Sequence, residues 1–89
     1  MKLCPIYLAL PEANIVALKF IIESYEGLAE LRTLNAAKGE VVLLALSDTE
    51  ADVRGLIQSL GSDLSMREIP IPESLANDWL LGEFIEEVS

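Results

Sequence analysis

Histidine is absent from this chain, cysteine occurs once, at Cys4, and no glycine run has the spacing that cradles a phosphate. What remains for chemistry is fifteen carboxylates, two tyrosines, six cations and a few hydroxyls. Hydrolases and transferases ordinarily draw on a tuned nucleophile, a base that titrates near neutrality or a bound metal. The chain is therefore expected to be no enzyme, with no cofactor and no metal. A thiol without a histidine to ionise it reads as an apolar packing group, which is the expectation for Cys4. Ser47 followed by Glu50 has the spacing of a capping box, so Ser47 reads as a helix cap. Glu23, Glu26 and Glu30 lie close in sequence, but the calcium-loop pattern is missing and a solvated acidic face is expected.

The least generic stretch is ESYEGLAELRT, residues 23–33, where a helix end, a glycine and a strand meet. Arg32 is the cation best suited to hold a carboxylate or phosphate, because its planar fork allows bidentate pairing. Tyr25, Glu26, Gly27, Arg32 and Thr33 are accordingly the candidate ligand-binding residues. The competing reading of Arg32 is an edge-strand arginine paired with Glu30 or Glu40.

Six basic residues against fifteen acidic ones give a net charge of −9, which disfavours nucleic acid and anionic membranes as partners. A single cysteine allows no intrachain disulfide, and a cytoplasmic location is expected. The opening residues lack a small-residue cleavage site, and the apolar run from Ile15 to Ile22 is interrupted by Lys19, so neither a signal peptide nor a membrane span is expected.

These residues must be positioned by one small domain, since 89 residues cannot be divided into two workable cores. Residues 3–10 read as a strand beginning near Pro5, and Pro11 and Glu12 open a helix to about Glu26, closed by Gly27. Residues 28–34 alternate as a half-exposed strand, and 35–39 form a turn. Residues 40–46, EVVLLAL, are apolar on both faces and read as an interior strand. Val53, Leu56, Ile57 and Leu60 follow at helical spacing, with Gly61 expected as the stop. Residues 66–71 read as an edge strand because Pro70 removes a ladder donor.

The expected fold is α+β, a ferredoxin-like β-α-β-β-α-β antiparallel sheet of order 4-1-3-2 with both helices on one face. Residues 1–72 form that domain. Residues 73–89 are expected to form a C-terminal helix packing on the open sheet face or on a partner subunit, with Trp79, Leu81 and Phe84 as interface candidates.

The run from Ile15 to Leu60 resembles a family of small bacterial proteins known as a domain of unknown function. In that family a helix ending in E-x-Y-[DE]-G-L-A precedes an R-T strand, and the matching positions are Glu23, Tyr25, Glu26, Gly27, Leu28, Ala29, Arg32 and Thr33. More loosely, the whole pattern resembles the ACT-type regulatory domains. That resemblance implies a ferredoxin-like fold, pairing through sheets or helices and amino-acid binding at a subunit interface. The glycine such domains commonly carry after the first strand is replaced here by Pro11, Glu12 and Ala13.

The function expected is a non-catalytic ACT-like module that self-associates as a dimer and senses a small metabolite. The alternative is a protein-interaction module that docks through its apolar sheet face or C-terminal helix.

Overall fold

A computed structural model describes residues 2–72 of the chain. Its elements are β1 (Leu3–Ala9), α1 (Glu12–Ser24), β2 (Ala29–Asn35), β3 (Glu40–Leu46), α2 (Glu50–Leu64) and β4 (Arg67–Glu68). The strands form one antiparallel sheet in the order β2-β3-β1-β4, which reads 4-1-3-2 when counted from the opposite edge. Among the described residues the fold is α+β, four strands and two helices.

Strand β3 runs alongside β1 over its whole length, from Leu3 opposite Leu46 to Ala9 opposite Glu40, and holds β2 on its other side. That interior place explains why Val41, Val42, Leu43, Leu44 and Ala45 are all buried. Alternation along the strands sends side chains to two faces. On one, Ile6 and Leu8 of β1 and Val41 and Leu43 of β3 meet Ile15, Leu18 and Ile22 of α1 and Val53 and Leu64 of α2. Six of the core side chains, Ile6, Leu8, Leu18, Val41, Leu43 and Val53, are under 2 % exposed. Each such burial stabilises by roughly 1.5–3 kcal/mol. On the other face Tyr7, Val42 and Leu44 form a smaller buried cluster with Leu3, Leu34 and Ile69 at its margin.

Pro5 lies at the third position of the interior strand β1, opposite Leu44, and not at its first ladder position. The backbone geometry shows why it is tolerated. Backbone groups point alternately to the two sides along a strand, and the Tyr7 carbonyl accepts the Ile69 N–H across the β4 edge. Pro5, two residues earlier, turns its nitrogen to that same side. There β4 pairs only with Leu8 and Ala9, so no ladder bond is forfeited.

Three other expectations need correction. The last strand is two residues long and not six, because Pro70 and Pro72 carry no N–H with which to extend the ladder. Ser47 does not cap α2: its N–H donates to the Lys2 carbonyl at 2.9 Å and prolongs the β1–β3 pairing, while Thr49 occupies the cap position. Gly61 does not stop α2. The helix runs one turn further, and Ser65 takes the left-handed conformation at φ 52°, its N–H reaching back to the carbonyls of Gly61 and Ser62. Burial of Leu64 and Met66 against the core favours that extra turn.

Two connections are held by specific bonds. Asn14 of α1 donates its side-chain amide to the Leu64 carbonyl at 2.9 Å, tying the start of one helix to the end of the other. In the β2–β3 turn the Asn35 carboxamide oxygen accepts the Lys38 N–H at 3.1 Å, and Gly39 adopts φ 68° while its carbonyl accepts the Leu10 N–H at 2.9 Å.

Candidate functional site

Helix α1 ends at Ser24, whose hydroxyl donates to the Ile21 carbonyl at 2.6 Å, a local bond that competes with continued helix. The Tyr25 N–H donates to the Ile22 carbonyl, the Leu28 N–H donates to the Tyr25 carbonyl, and Gly27 takes φ 76°, so residues 25–28 make a tight turn into β2. The Thr49 hydroxyl anchors this turn by donating to the Leu28 carbonyl at 2.9 Å while accepting the Leu46 N–H at 3.3 Å. One small hydroxyl thus fixes the α1–β2 turn against the β3–α2 connection.

Beside the turn is an open concavity of about 350 Å³, lined by Gly27, Leu28, Ala29 and Glu30 of the turn and β2 and by Leu3, Leu44 and Leu46. Its walls are mainly aliphatic, and Glu30 is the charged residue among them. Leu3 and Leu46 are register partners in the β1–β3 pair, and Leu44 and Leu46 share one face of β3.

Of the sequence-predicted site residues, Gly27 lines this concavity and Tyr25 and Glu26 belong to the same turn. Tyr25 is 49 % exposed. Neither Arg32 nor Thr33 lines it, although Arg32 shares a face of β2 with the lining residue Glu30 and is bonded to it, while Thr33 is on the opposite face. They lie opposite Val42 and Val41, three and four residues along β2 from Ala29, a separation of roughly 10 Å or more at 3.3 Å per residue. Strand alternation also sends their side chains to opposite faces. Arg32 donates to Glu30 at 3.0 Å in an exposed pair. Trp79, Leu81 and Phe84, the interface candidates, lie outside the described residues.

Sequence reasoning did not single out Leu3, Leu44, Leu46 or Thr49. The aliphatic residues carry no chemical mark, and their convergence depends on the β1–β3 register. Thr49 could have been found from its place between an apolar strand and the acidic first turn of α2, where a short hydroxyl residue is preferred as a cap.

A second polar cluster joins α2 to β1 and β4. Arg54 donates to Glu50 at 3.1 Å and to Glu68 at 3.2 Å. The Arg54 guanidinium holds the Glu50 carboxyl below its ordinary range, with a further contribution from the Cys4 thiol. Cys4 itself is pushed above the usual thiol value by desolvation and then by the neighbouring Glu50 carboxylate. A thiol shifted upward is less ionised at neutral pH, the opposite of what a nucleophile requires. Among the described residues there is no grouping of three carboxylate, cysteine or histidine side chains able to hold a metal ion. No described helix is long and apolar enough to cross a membrane.

A family described as a domain of unknown function, DUF4911, matches residues 8–63, more than half of the chain. No curated protein and no solved structure gives a significant match.

Proposed function

The chain belongs to the DUF4911 family, a domain of unknown function, and within it we propose a non-catalytic, ACT-like module of ferredoxin-like fold that works by self-association. The observation that carries this reading is the outward face of α1. Phe20 is 70 % exposed and Val16 59 %, one helical turn apart on the same side, with the small residues Ala13 and Ala17 exposed beside them. A domain of this size has little interior and keeps large apolar groups inside where it can. A paired apolar stripe left outside fits a contact surface.

Two small residues let a second helix approach closely, and Glu12, Lys19 and Glu23 supply a polar margin of both signs. Such a face suits an isologous contact, in which the same patch meets itself across a two-fold axis. The antiparallel pairing and the strand order support the ferredoxin-like reading.

Light scattering on the purified chain tests the proposal. It expects a dimer at micromolar concentration that Phe20→Asp converts to a monomer that still unfolds cooperatively, with a melting temperature that no longer depends on protein concentration. A wild-type monomer at 100 μM would refute it. A monomer that captures one stoichiometric protein instead favours the interaction-module reading.

The concavity beside Gly27 supports a second role, the sensing of a small molecule with an apolar body. A thermal-shift screen of amino acids and small metabolites tests that role. A binder present at 100 times its Kd stabilises by about 2.7 kcal/mol, and a panel with no shift removes the role.

A further inference from the structure

Strand β2 closes the sheet on one side and β4 on the other, and the two edges offer a further strand different things. On the β4 side, Pro5 removes a donor from the uncovered half of β1, and Pro70 and Pro72 follow β4. No proline interrupts β2. Its hydrogen-bonding phase is set by the rest of the sheet. The Ser47 N–H donates to the Lys2 carbonyl and the Leu10 N–H to the Gly39 carbonyl. Alternation along β3 therefore turns the backbone of Val41, Leu43 and Ala45 toward β1 and that of Val42 and Leu44 toward β2. Glu30 and Arg32 stand opposite Leu44 and Val42, which leaves the N–H and C=O groups of Ala29, Leu31 and Thr33 directed outward. Among the described residues no strand pairs with them.

The sequence along this edge complements itself. LAELRTL, residues 28–34, set antiparallel to a second copy and centred on Leu31, places Glu30 opposite Arg32, Ala29 opposite Thr33 and Leu28 opposite Leu34, each twice. Outward-facing residues then meet only outward-facing ones, so every open N–H and C=O from Ala29 to Thr33 gains a partner. Moving the centre by one residue sets Glu30 against Glu30 or Arg32 against Arg32, and like charges directly opposite are destabilising. Charge thus selects one register, and the complement it selects is this chain.

We infer that β2 pairs with β2 of a second copy, antiparallel about Leu31, to make a continuous eight-stranded sheet. This inference rests on the self-association proposed above and gives it a register. The two-fold axis stands perpendicular to the sheet, so the helices of both copies lie on one side of it, and α1, which packs against β2, flanks the axis. A pair of strand edges alone falls short of the roughly 1,200 Å² that a stable interface buries, and the exposed stripe of α1 adds apolar area. The second copy continues the sheet in its own plane and leaves the concavity at Leu3, Leu44 and Leu46 open.

The experiment is nuclear magnetic resonance on the full chain, at a concentration where its mass is that of two chains, in a one-to-one mixture of isotope-labelled and unlabelled protein. The expected result is a contact between the α-proton of Glu30 in one chain and that of Arg32 in the other. The Leu31 N–H is expected to exchange with solvent roughly 100-fold more slowly than in the Phe20→Asp monomer. A two-chain sample without that contact, in which Leu31 exchanges equally fast in both proteins, would overturn the inference and leave self-association standing. A wild type of one chain would remove both. In parallel, Glu30→Arg and Arg32→Glu are each expected to weaken the dimer roughly tenfold, and the double variant to restore its affinity to within about threefold. Single variants that dimerise as tightly as the wild type would contradict the register.

Discussion

Replacing Gly39 with alanine tests the tightest backbone approach in the domain. Gly39 holds φ 68°, and a Cβ placed on it would run into the backbone carbonyl of Leu10. The left-handed conformation alone costs an alanine roughly 1–2 kcal/mol. The overlap adds a strain term of about 1–3 kcal/mol, because the obstacle is backbone already bonded to the Gly39 carbonyl and cannot swing aside as a side chain would. Reduced freedom of the unfolded chain returns about 0.4–1 kcal/mol, leaving a net loss of roughly 1–5 kcal/mol, centred near 3. Gly27 supplies the control. It holds φ 76°, but a Cβ there meets nothing within 4 Å, so Gly27→Ala carries the conformational cost alone and should lose about 1 kcal/mol. Urea unfolding followed by circular dichroism measures both, with the slope checked for constancy. Equal losses in the two variants would refute the placement of the β2–β3 turn against the end of β1.

Three further outcomes are expected. Asn14→Ala removes the amide that satisfies the Leu64 carbonyl and should cost about 0.5–1.5 kcal/mol by urea unfolding. Arg54→Met breaks the links to Glu50 and Glu68, but all three side chains are more than a third exposed. Its cost should stay below about 1 kcal/mol and shrink further in 1 M salt. Burial raises the Tyr7 phenol above its ordinary value. The unfolded chain therefore gives up this proton first as pH rises. The contribution is fully present below the unfolded pKa of about 10 and is lost as pH climbs from there through the folded value. Urea midpoints should fall above pH 10, and less steeply in Tyr7→Phe.

The fold was legible because independent signals agreed. EVVLLAL could only be a strand covered on both sides, and Val53, Leu56, Ile57 and Leu60 could only be one face of a helix. Errors fell where a local rule met a tertiary bond. Ser47 has cap spacing from Glu50, yet its N–H is needed to finish the β1–β3 ladder. Gly61 is a natural stop, yet burial of Leu64 is worth another turn and Ser65 accepts the strained conformation. Pro5 looked misplaced because the length of β4, which decides whether its side of β1 is paired, is not written in β1.

The candidate site was legible only in part. A turn containing Gly27 announces itself, whereas the concavity beside it is built from leucines that meet through strand register. Arg32 and Thr33 drew attention by type and sequence proximity to Gly27. An extended strand carries them away from it at more than 3 Å per residue. The exposed stripe of α1 lay within a helix greasy on several sides, and which side was core depended on how that helix meets the sheet.

Self-association through that stripe is the central claim, and sedimentation equilibrium of the wild type beside Phe20→Asp tests it most directly. The account predicts a wild-type mass of two chains across 5–50 μM and a mass of one chain for the variant, which still unfolds cooperatively. A wild type of one chain throughout, or a variant that remains dimeric, would contradict it.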